Sequence, residues 1–236
     1  MTMQTIPTRN GETFQAYIAL PDKLPAPCVI LIQEIFGVNS EMRAKCDDLA
    51  ARGYIAVCPD LFWRMEPGVQ LTDKTEAEWA RAFDFFNRFD IDLGIEDLRA
   101  TAHFCKGYAH GNGHVGAIGY CLGGKLAYLM AARTNIDCAI GYYGVGLDGL
   151  LGESANIKNP LMLHIAEEDK FVSKEAQKLI KDKLATNNSV TIHSYANVDH
   201  AFARGQGQHY DEQAATLANQ RSYKFLNTNL LNRKAA

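Results

Sequence analysis

No stretch of this chain stays apolar for long. The longest hydrophobic runs, Cys28 to Ile32 and Leu126 to Ala132, fall far below the ~20 residues that a bilayer-spanning helix needs. No membrane span is therefore expected. The opening residues, Met-Thr-Met-Gln-Thr-Ile-Pro-Thr-Arg-Asn, lack the apolar centre of a secretion signal, so the cytoplasm is the expected compartment. There is no excess of positive charge: 24 Lys and Arg stand against 27 Asp and Glu, a formal net charge of −3. Nucleic acids and acidic membranes select basic patches, so neither is an expected partner. No CxxC pair and no HExxH occur; although His193 and His200 leave a metal site formally open, neither a metal nor another cofactor is expected. Proline-rich linkers, internal repeats and low-complexity tracts are also missing, which points to one domain over residues 1–236.

What is present is the composition of an ordinary globule, 47% hydrophobic and 22% charged, far from the polar, highly charged make-up of disordered chains. Six cysteines, at 28, 46, 58, 105, 121 and 138, invite a disulfide reading by their even number. The apolar settings of Cys28, Cys58 and Cys138, the size of the core available and the missing signal argue for reduced, buried thiols instead.

Strand-like runs cover Thr13–Leu20, Cys28–Gln33, Tyr54–Cys58, His114–Gly119, Cys138–Tyr143, Leu161–Ile165 and Val190–Tyr195. Several are apolar throughout, as strands covered on both faces are. Helical patterns alternate with them. Met42, Cys46, Leu49 and Ala50 share a face after a Ser40 cap, and Gly53 ends that helix. Ile95, Leu98, Ala102 and Cys105 form a second stripe. Ala176, Leu179, Ile180 and Leu184 follow Ser173 as N-cap. The alternation predicts an α/β fold with a mostly parallel sheet flanked by helices, and in such sheets sites gather at the carboxyl ends of strands. Leu61–Asp92 is too long for a simple crossover. Its helix with Trp79, Phe83, Phe86 and Phe89 is either core or part of a cover over a site.

The stretch most informative about chemistry is Gly119-Tyr120-Cys121-Leu122-Gly123-Gly124. It lies between an expected strand and a helix from about Lys125 to Arg133. A small-x-nucleophile-x-small run in that context is the nucleophile elbow, here with cysteine at its tip. Asp169 follows the strand Leu161–Ile165, in competition with Glu167 and Glu168. His200 follows Val190–Tyr195. The order Cys121, Asp169, His200 is the nucleophile–acid–histidine order of the α/β-hydrolase fold, which becomes the expected fold class. In that fold the oxyanion donors are the backbone N–H groups of Ile35, after the strand at Cys28, and of Leu122, after the nucleophile. Glu34 is unusual beside such a site, because a carboxylate close to a thiol disfavours its ionisation. Gly111-Asn112-Gly113-His114-Val115-Gly116 spells a dinucleotide-binding motif but precedes a strand rather than opening a helix, so it reads as a turn. Asn187-Asn188-Ser189 spells a glycosylation acceptor, which has no consequence without secretion.

Gln33-Glu34-Ile35-Phe36-Gly37-Val38-Asn39, Cys58-Pro59-Asp60-Leu61, the cysteine elbow, Gly141-Tyr142-Tyr143-Gly144-Val145-Gly146 and His200-Ala201-Phe202-Ala203-Arg204 together resemble the dienelactone hydrolase family. The resemblance runs from about Cys28 to the final helix. That family hydrolyses carboxymethylene-butenolides in the bacterial breakdown of chloroaromatics. The resemblance implies Cys121 as nucleophile, His200 as base, Asp169 as its orienting acid and Glu34 as the thiol's resting partner. It implies Arg204 as a ligand of the substrate carboxylate, with Tyr142, Trp79 and Phe36 near the substrate. The chain departs from the family pattern in three places: Trp79 stands where an arginine helps bind the carboxylate, Phe83 where a tyrosine stands, and Ala201 where a serine stands. The expectation is a monomeric cysteine hydrolase of a small enol-lactone or activated ester. Its rivals are a carboxylesterase or thioesterase of different range, a ligand-binding protein on a hydrolase scaffold, and a thiol redox protein.

Overall fold

The structure, a computed structural model, describes residues 2–232. In chain order the elements are β1 (Thr2–Pro7), β2 (Thr13–Ala19), β3 (Ala26–Ile32), α1 (Ser40–Ala51), β4 (Ile55–Pro59), α2 (Glu76–Arg88), α3 (Ile91–Gly107) and β5 (Gly111–Tyr120). Then come α4 (Leu122–Arg133), β6 (Cys138–Tyr142), a 3-10 segment (Asp148–Asn156), β7 (Leu161–Ala166), α5 (Lys174–Leu184), β8 (Val190–Tyr195), α6 (Glu212–Leu226) and a closing π-helical turn (Asn227–Leu231). By their contacts the residues fall into two compact units, Met1–Gly116 and Ala117–Ala236, and β5 carries the chain from one into the other.

In the first unit the strands lie in the order β1-β2-β4-β3, antiparallel across the first two pairings and parallel between β3 and β4. All residues of β3 and β4 are buried, which is why their sequences are apolar without alternation. β1 is the strand that the pattern does not reveal. Only Ile6 of its residues is buried, as befits an edge strand with too little apolar content to show a period. α1 packs on β2, β3 and β4, and α3 on β1 and β3. Asn39, rather than Ser40, caps α1: its side chain accepts from the Met42 N–H.

α2 turns a different face inward from the one the aromatic spacing suggested. Its buried residues are Ala82 and Phe85, with Phe62 stacked on Phe85 at 5.0 Å and edge-on to Phe89 at 5.8 Å. Phe83 is exposed. With aromatics at 79, 83, 85, 86 and 89 the helix offers two overlapping stripes, and the partner Phe62 selects between them.

The second unit orders its strands β5-β6-β7-β8, with β6, β7 and β8 mutually parallel. β6 and β7 are buried throughout, whereas β8, at the edge, is mixed. α4 packs on β6 and α6 on β7. Ser173 caps α5 through the Ala176 N–H. All six cysteines are free and buried. No helix among the described residues is long and apolar enough to cross a membrane.

Candidate active site

Cys121 stands between β5 and α4 with φ 57° and ψ −114°, a left-handed-side conformation that costs a non-glycine residue about 1–3 kcal/mol. Its N–H donates to the Tyr142 carbonyl at 3.0 Å, and its carbonyl accepts from the Lys125 N–H at 3.1 Å. Those two bonds hold the turn. The flanking glycines make it sterically possible. A Cβ on Gly119 would lie 2.0 Å from the Gly123 carbonyl oxygen, and one on Gly124 would lie 2.5 Å from the Tyr142 oxygen. The sequence motif therefore folds as the elbow it spells, with Cys121 at the N-terminus of α4, where the helix dipole favours negative charge.

The Asp169 Oδ2 lies 2.9 Å from Nδ1 of His200, and the Asp169 Oδ1 accepts from the Phe171 N–H at 2.9 Å. Both side chains are buried. Of the three acids competing in the sequence, only Asp169 reaches the histidine: Glu168 is exposed and pairs with Lys174 at 2.8 Å. The His200 backbone N–H is held by the Asp199 carboxylate at 2.7 Å. Burial pulls the imidazole pKa down, but the charge of the Cys121 sulfur, the hydrogen bonds with Asp169 and Cys121 and the Asp169 charge outweigh it and push His200 up to about 10. The three residues named in chain order from the sequence thus act on one another in one cluster. It is an imidazole held by a carboxylate on one nitrogen and acted on by the Cys121 sulfur.

Other expected residues take varied places. Leu122 is the first residue of α4 and fully buried. Arg204 is buried, on the turn after His200 where its N–H donates to the Ala201 carbonyl at 2.9 Å. Tyr142 does not turn toward His200. Its hydroxyl is 2.7 Å from Ser222 Oγ and donates to Asn219 at 3.0 Å, and its ring packs on His164 at 4.2 Å. In the first unit, Glu34, Ile35 and Phe36 form a buried turn after β3. That turn is pinned by the Leu71 N–H donating to the Phe36 carbonyl at 2.9 Å, and Gly37, φ 75°, makes room for Val69. Phe36 meets Trp79 edge-on at 5.1 Å, and the Trp79 indole donates to the Asp73 carbonyl at 2.9 Å. Those two expected substrate contacts are brought together. Among the described residues no group of three or more His, Cys, Asp or Glu side chains gathers to hold a metal.

Tyr143 is the residue that sequence reasoning passed over. It has φ 37°, its ring stands edge-on to His200 at 5.0 Å, and Phe171 closes on the imidazole at 4.8 Å. The non-glycine residues with positive φ among those described are Cys121, Tyr143, Asn197 and Ala201. Three of these four belong to or adjoin the cluster, as backbone strain does at functional sites. No sequence signal separates Tyr143 from its neighbour Tyr142, since only the backbone twist decides which ring faces the histidine.

Eight strands, mostly parallel, with helices packed on them and a strained turn at Cys121 followed in the chain by Asp169 and His200, define an α/β-hydrolase fold. The profile of the dienelactone hydrolase family matches residues 14–230, and the chain belongs to that family. A protein of Azospirillum brasilense is 48% identical over 232 residues, covering 98% of this chain and 100% of its own. The carboxymethylenebutenolidase of Pseudomonas putida is 40% identical over 222 residues, 94% of each chain. A solved structure from Klebsiella pneumoniae superposes with a TM-score of 0.83 at 26% identity, covering 94% of this chain and 96% of that one. The chain is thus a dienelactone hydrolase-like enzyme, a hydrolase of carboxylic-ester or lactone bonds.

Proposed function

We propose that the enzyme opens an enol-lactone or a similarly activated ester with Cys121 as nucleophile. The observation that carries this reading is the His200 imidazole, fixed at 2.9 Å by Asp169 and raised to about 10 in large part by the Cys121 sulfur. An imidazole so disposed takes the thiol proton and holds the resulting anion. The sulfur then attacks the lactone carbonyl, a C–S bond forms, the ring C–O bond breaks, and the departing enolate takes the proton held by His200, leaving the imidazole neutral. Backbone donors of Ile35 and Leu122 receive the oxyanion, a contribution typically about 3–4 kcal/mol per donor. Water, giving a proton to the neutral His200, attacks the acyl-enzyme, the C–S bond breaks as the carboxylic acid leaves, and the proton on His200 returns to the sulfur. An enolate is a good leaving group, which suits a thiol better than an amide substrate would.

The roles of Glu34 as resting partner of Cys121, and of Arg204, Trp79, Phe36 and Tyr142 toward substrate, rest on the family resemblance. The reading of residues 1–236 as one monomeric domain working in the cytoplasm is likewise a proposal. Glu34 and His200 pull in opposite directions: a carboxylate favours the neutral thiol, an imidazolium the thiolate. The pH profile of alkylation in the free enzyme separates them. Slow labelling near neutral pH that speeds up in Glu34→Gln supports the resting-thiol role. Rapid labelling well below neutral pH, unaffected by that substitution, removes it.

The test of the substrate class is a hydrolysis screen over lactones with and without a free carboxylate. The carboxylated substrate should be preferred, and Arg204→Ala should cost it roughly 10- to 150-fold in kcat/KM, the loss of one charged hydrogen bond, while sparing the neutral one. Trp79→Arg should raise the ratio of carboxylated to neutral turnover. If Trp79→Arg leaves that ratio unchanged, residue 79 does not face substrate. If no lactone or ester turns over, the reading falls.

A further inference from the structure

Within the second unit one cation stands apart from the surface lysines. Lys125 lies in the first turn of α4, and its backbone N–H closes that turn on the Cys121 carbonyl at 3.1 Å. Helical side chains lean toward the N-terminus, so a residue four along from the elbow covers the turn that begins there. The Lys125 ammonium is not thrown out to solvent. Its Nζ lies 3.2 Å from the point where a Cβ on Gly146 would sit, and Gly146 has φ 65°, a position where a side chain is disfavoured. The residue is only partly exposed. Burial lowers its pKa, while the charges of Cys121 and Asp148 act to raise it.

We propose that Lys125 is a positioning residue for the thiol chemistry: its ammonium, seated along the Gly146 turn one helical turn from Cys121, keeps positive potential at the sulfur and draws anionic reactants toward it. This deepens the cysteine reading above and rests on it. Two further groups of the second unit act on this region. His200, backed by Asp169, faces the sulfur. Asp148, at the start of the 3-10 segment, faces the ammonium. The other carboxylate of that segment, Glu153, is held at 2.7 Å by Arg133. A cation in α4 adds to the helix N-terminus, which bears the same sign. A negatively charged lactone is thereby attracted at the reacting atom as well as at its carboxylate ligand.

The test uses two alkylating agents of nearly equal size, neutral iodoacetamide and anionic iodoacetate, on the whole protein at low ionic strength. The labelled cysteine is located by peptide mass spectrometry. Lys125→Met should slow iodoacetate at Cys121 by roughly three- to tenfold more than iodoacetamide. Lys125→Arg should restore the ratio, and Lys183→Met, an exposed lysine of α5, should leave it at the wild-type value. Added salt at about 1 M should shrink the difference by screening. Lys125→Met should also lower kcat/KM on an anionic lactone more than on a neutral ester, with its thermal midpoint kept. A wild-type iodoacetate-to-iodoacetamide ratio in Lys125→Met overturns the proposal. So does a lower thermal midpoint with both rate ratios unchanged, the mark of a purely structural contact with Asp148. Hydrolysis that survives Cys121→Ala would remove the nucleophile reading instead, and the labelling ratio in the Lys125 variants would still report on the lysine.

Discussion

Cys121 sits under opposing demands that its neighbours resolve. A strained backbone turn holds it at the N-terminus of α4, and a buried imidazole hydrogen-bonds to it. Removing the sulfur should therefore change more than turnover. Cys121→Ala should lose hydrolysis by at least roughly a thousandfold, as loss of a nucleophile does, with its circular dichroism and thermal midpoint retained. In the same variant His200 loses the influence that most raises it, while burial, which lowers it, remains. Its NMR titration midpoint should fall from about 10 toward the ordinary imidazole range. A midpoint that stays put would mean that the sulfur does not touch the histidine electrically. At this scale the trio was legible, because glycine spacing marks an elbow and chain order marks the acid and base. Tyr143 was not legible, since two adjacent tyrosines differ only in which way a twisted backbone aims them. Lys125 was hidden for a similar reason: a lysine on a helix reads as solvent-facing until the Gly146 turn is seen beside it.

Elements, unlike single residues, were readable where they are buried on both sides. β3, β4 and β6 show themselves as apolar runs, and β7 as one interrupted by His164, while edge strand β1 has one buried residue and no visible period. Asn39 and Ser40 are both good caps, and the sequence cannot say which carbonyl turns first. In α2 the deciding partner, Phe62, lies outside the helix. That face can be tested directly. Phe85→Ala should cost about 3–5 kcal/mol by emptying a packed aromatic site, whereas Phe83→Ala should stay within about 0.5 kcal/mol. Urea midpoints of the two variants decide it, and equal losses would mean both rings are buried. The elbow gives a sharper case. Gly119→Ala places a methyl 2.0 Å from the Gly123 oxygen, so α4 must shift. The expected loss is about 1–3 kcal/mol or more, accompanied by a drop in kcat that exceeds any change in KM, because the turn that aims Cys121 moves. A variant with wild-type stability and turnover would show that the elbow has room the close approach denies.

Stability across pH connects the site to the core beneath it. His164 on β7 is fully buried, with Nδ1 2.8 Å from the Tyr195 hydroxyl and Nε2 2.9 Å from Ser222 Oγ. Ser222 also meets the Tyr142 hydroxyl at 2.7 Å. The Tyr142 carbonyl holds the Cys121 N–H, and the His164 carbonyl takes the Tyr143 N–H at 2.8 Å. His164 therefore lies in the network under the elbow. Burial, helped by the charges of His193 and Arg221, holds its pKa well below 6.5. His193 is lowered too, chiefly by burial. In the unfolded chain both take up a proton near pH 6.5. Below that point the unfolded state binds more protons than the native one, so their contribution to stability is intact above pH 6.5 and is lost as the pH falls. His200 runs the other way: raised to about 10, it contributes below about 6.5 and is lost as the pH rises through 10. Unfolding free energy from urea titrations should thus peak near neutral pH. Between pH 6.5 and 5 its fall should be shallower in His164→Asn by an amount that grows toward about 1.4 kcal/mol per pH unit, the slope one fully protonated histidine supplies. Identical acid slopes in the two proteins would mean that His164 accepts its proton while still folded, and that burial does not keep it neutral.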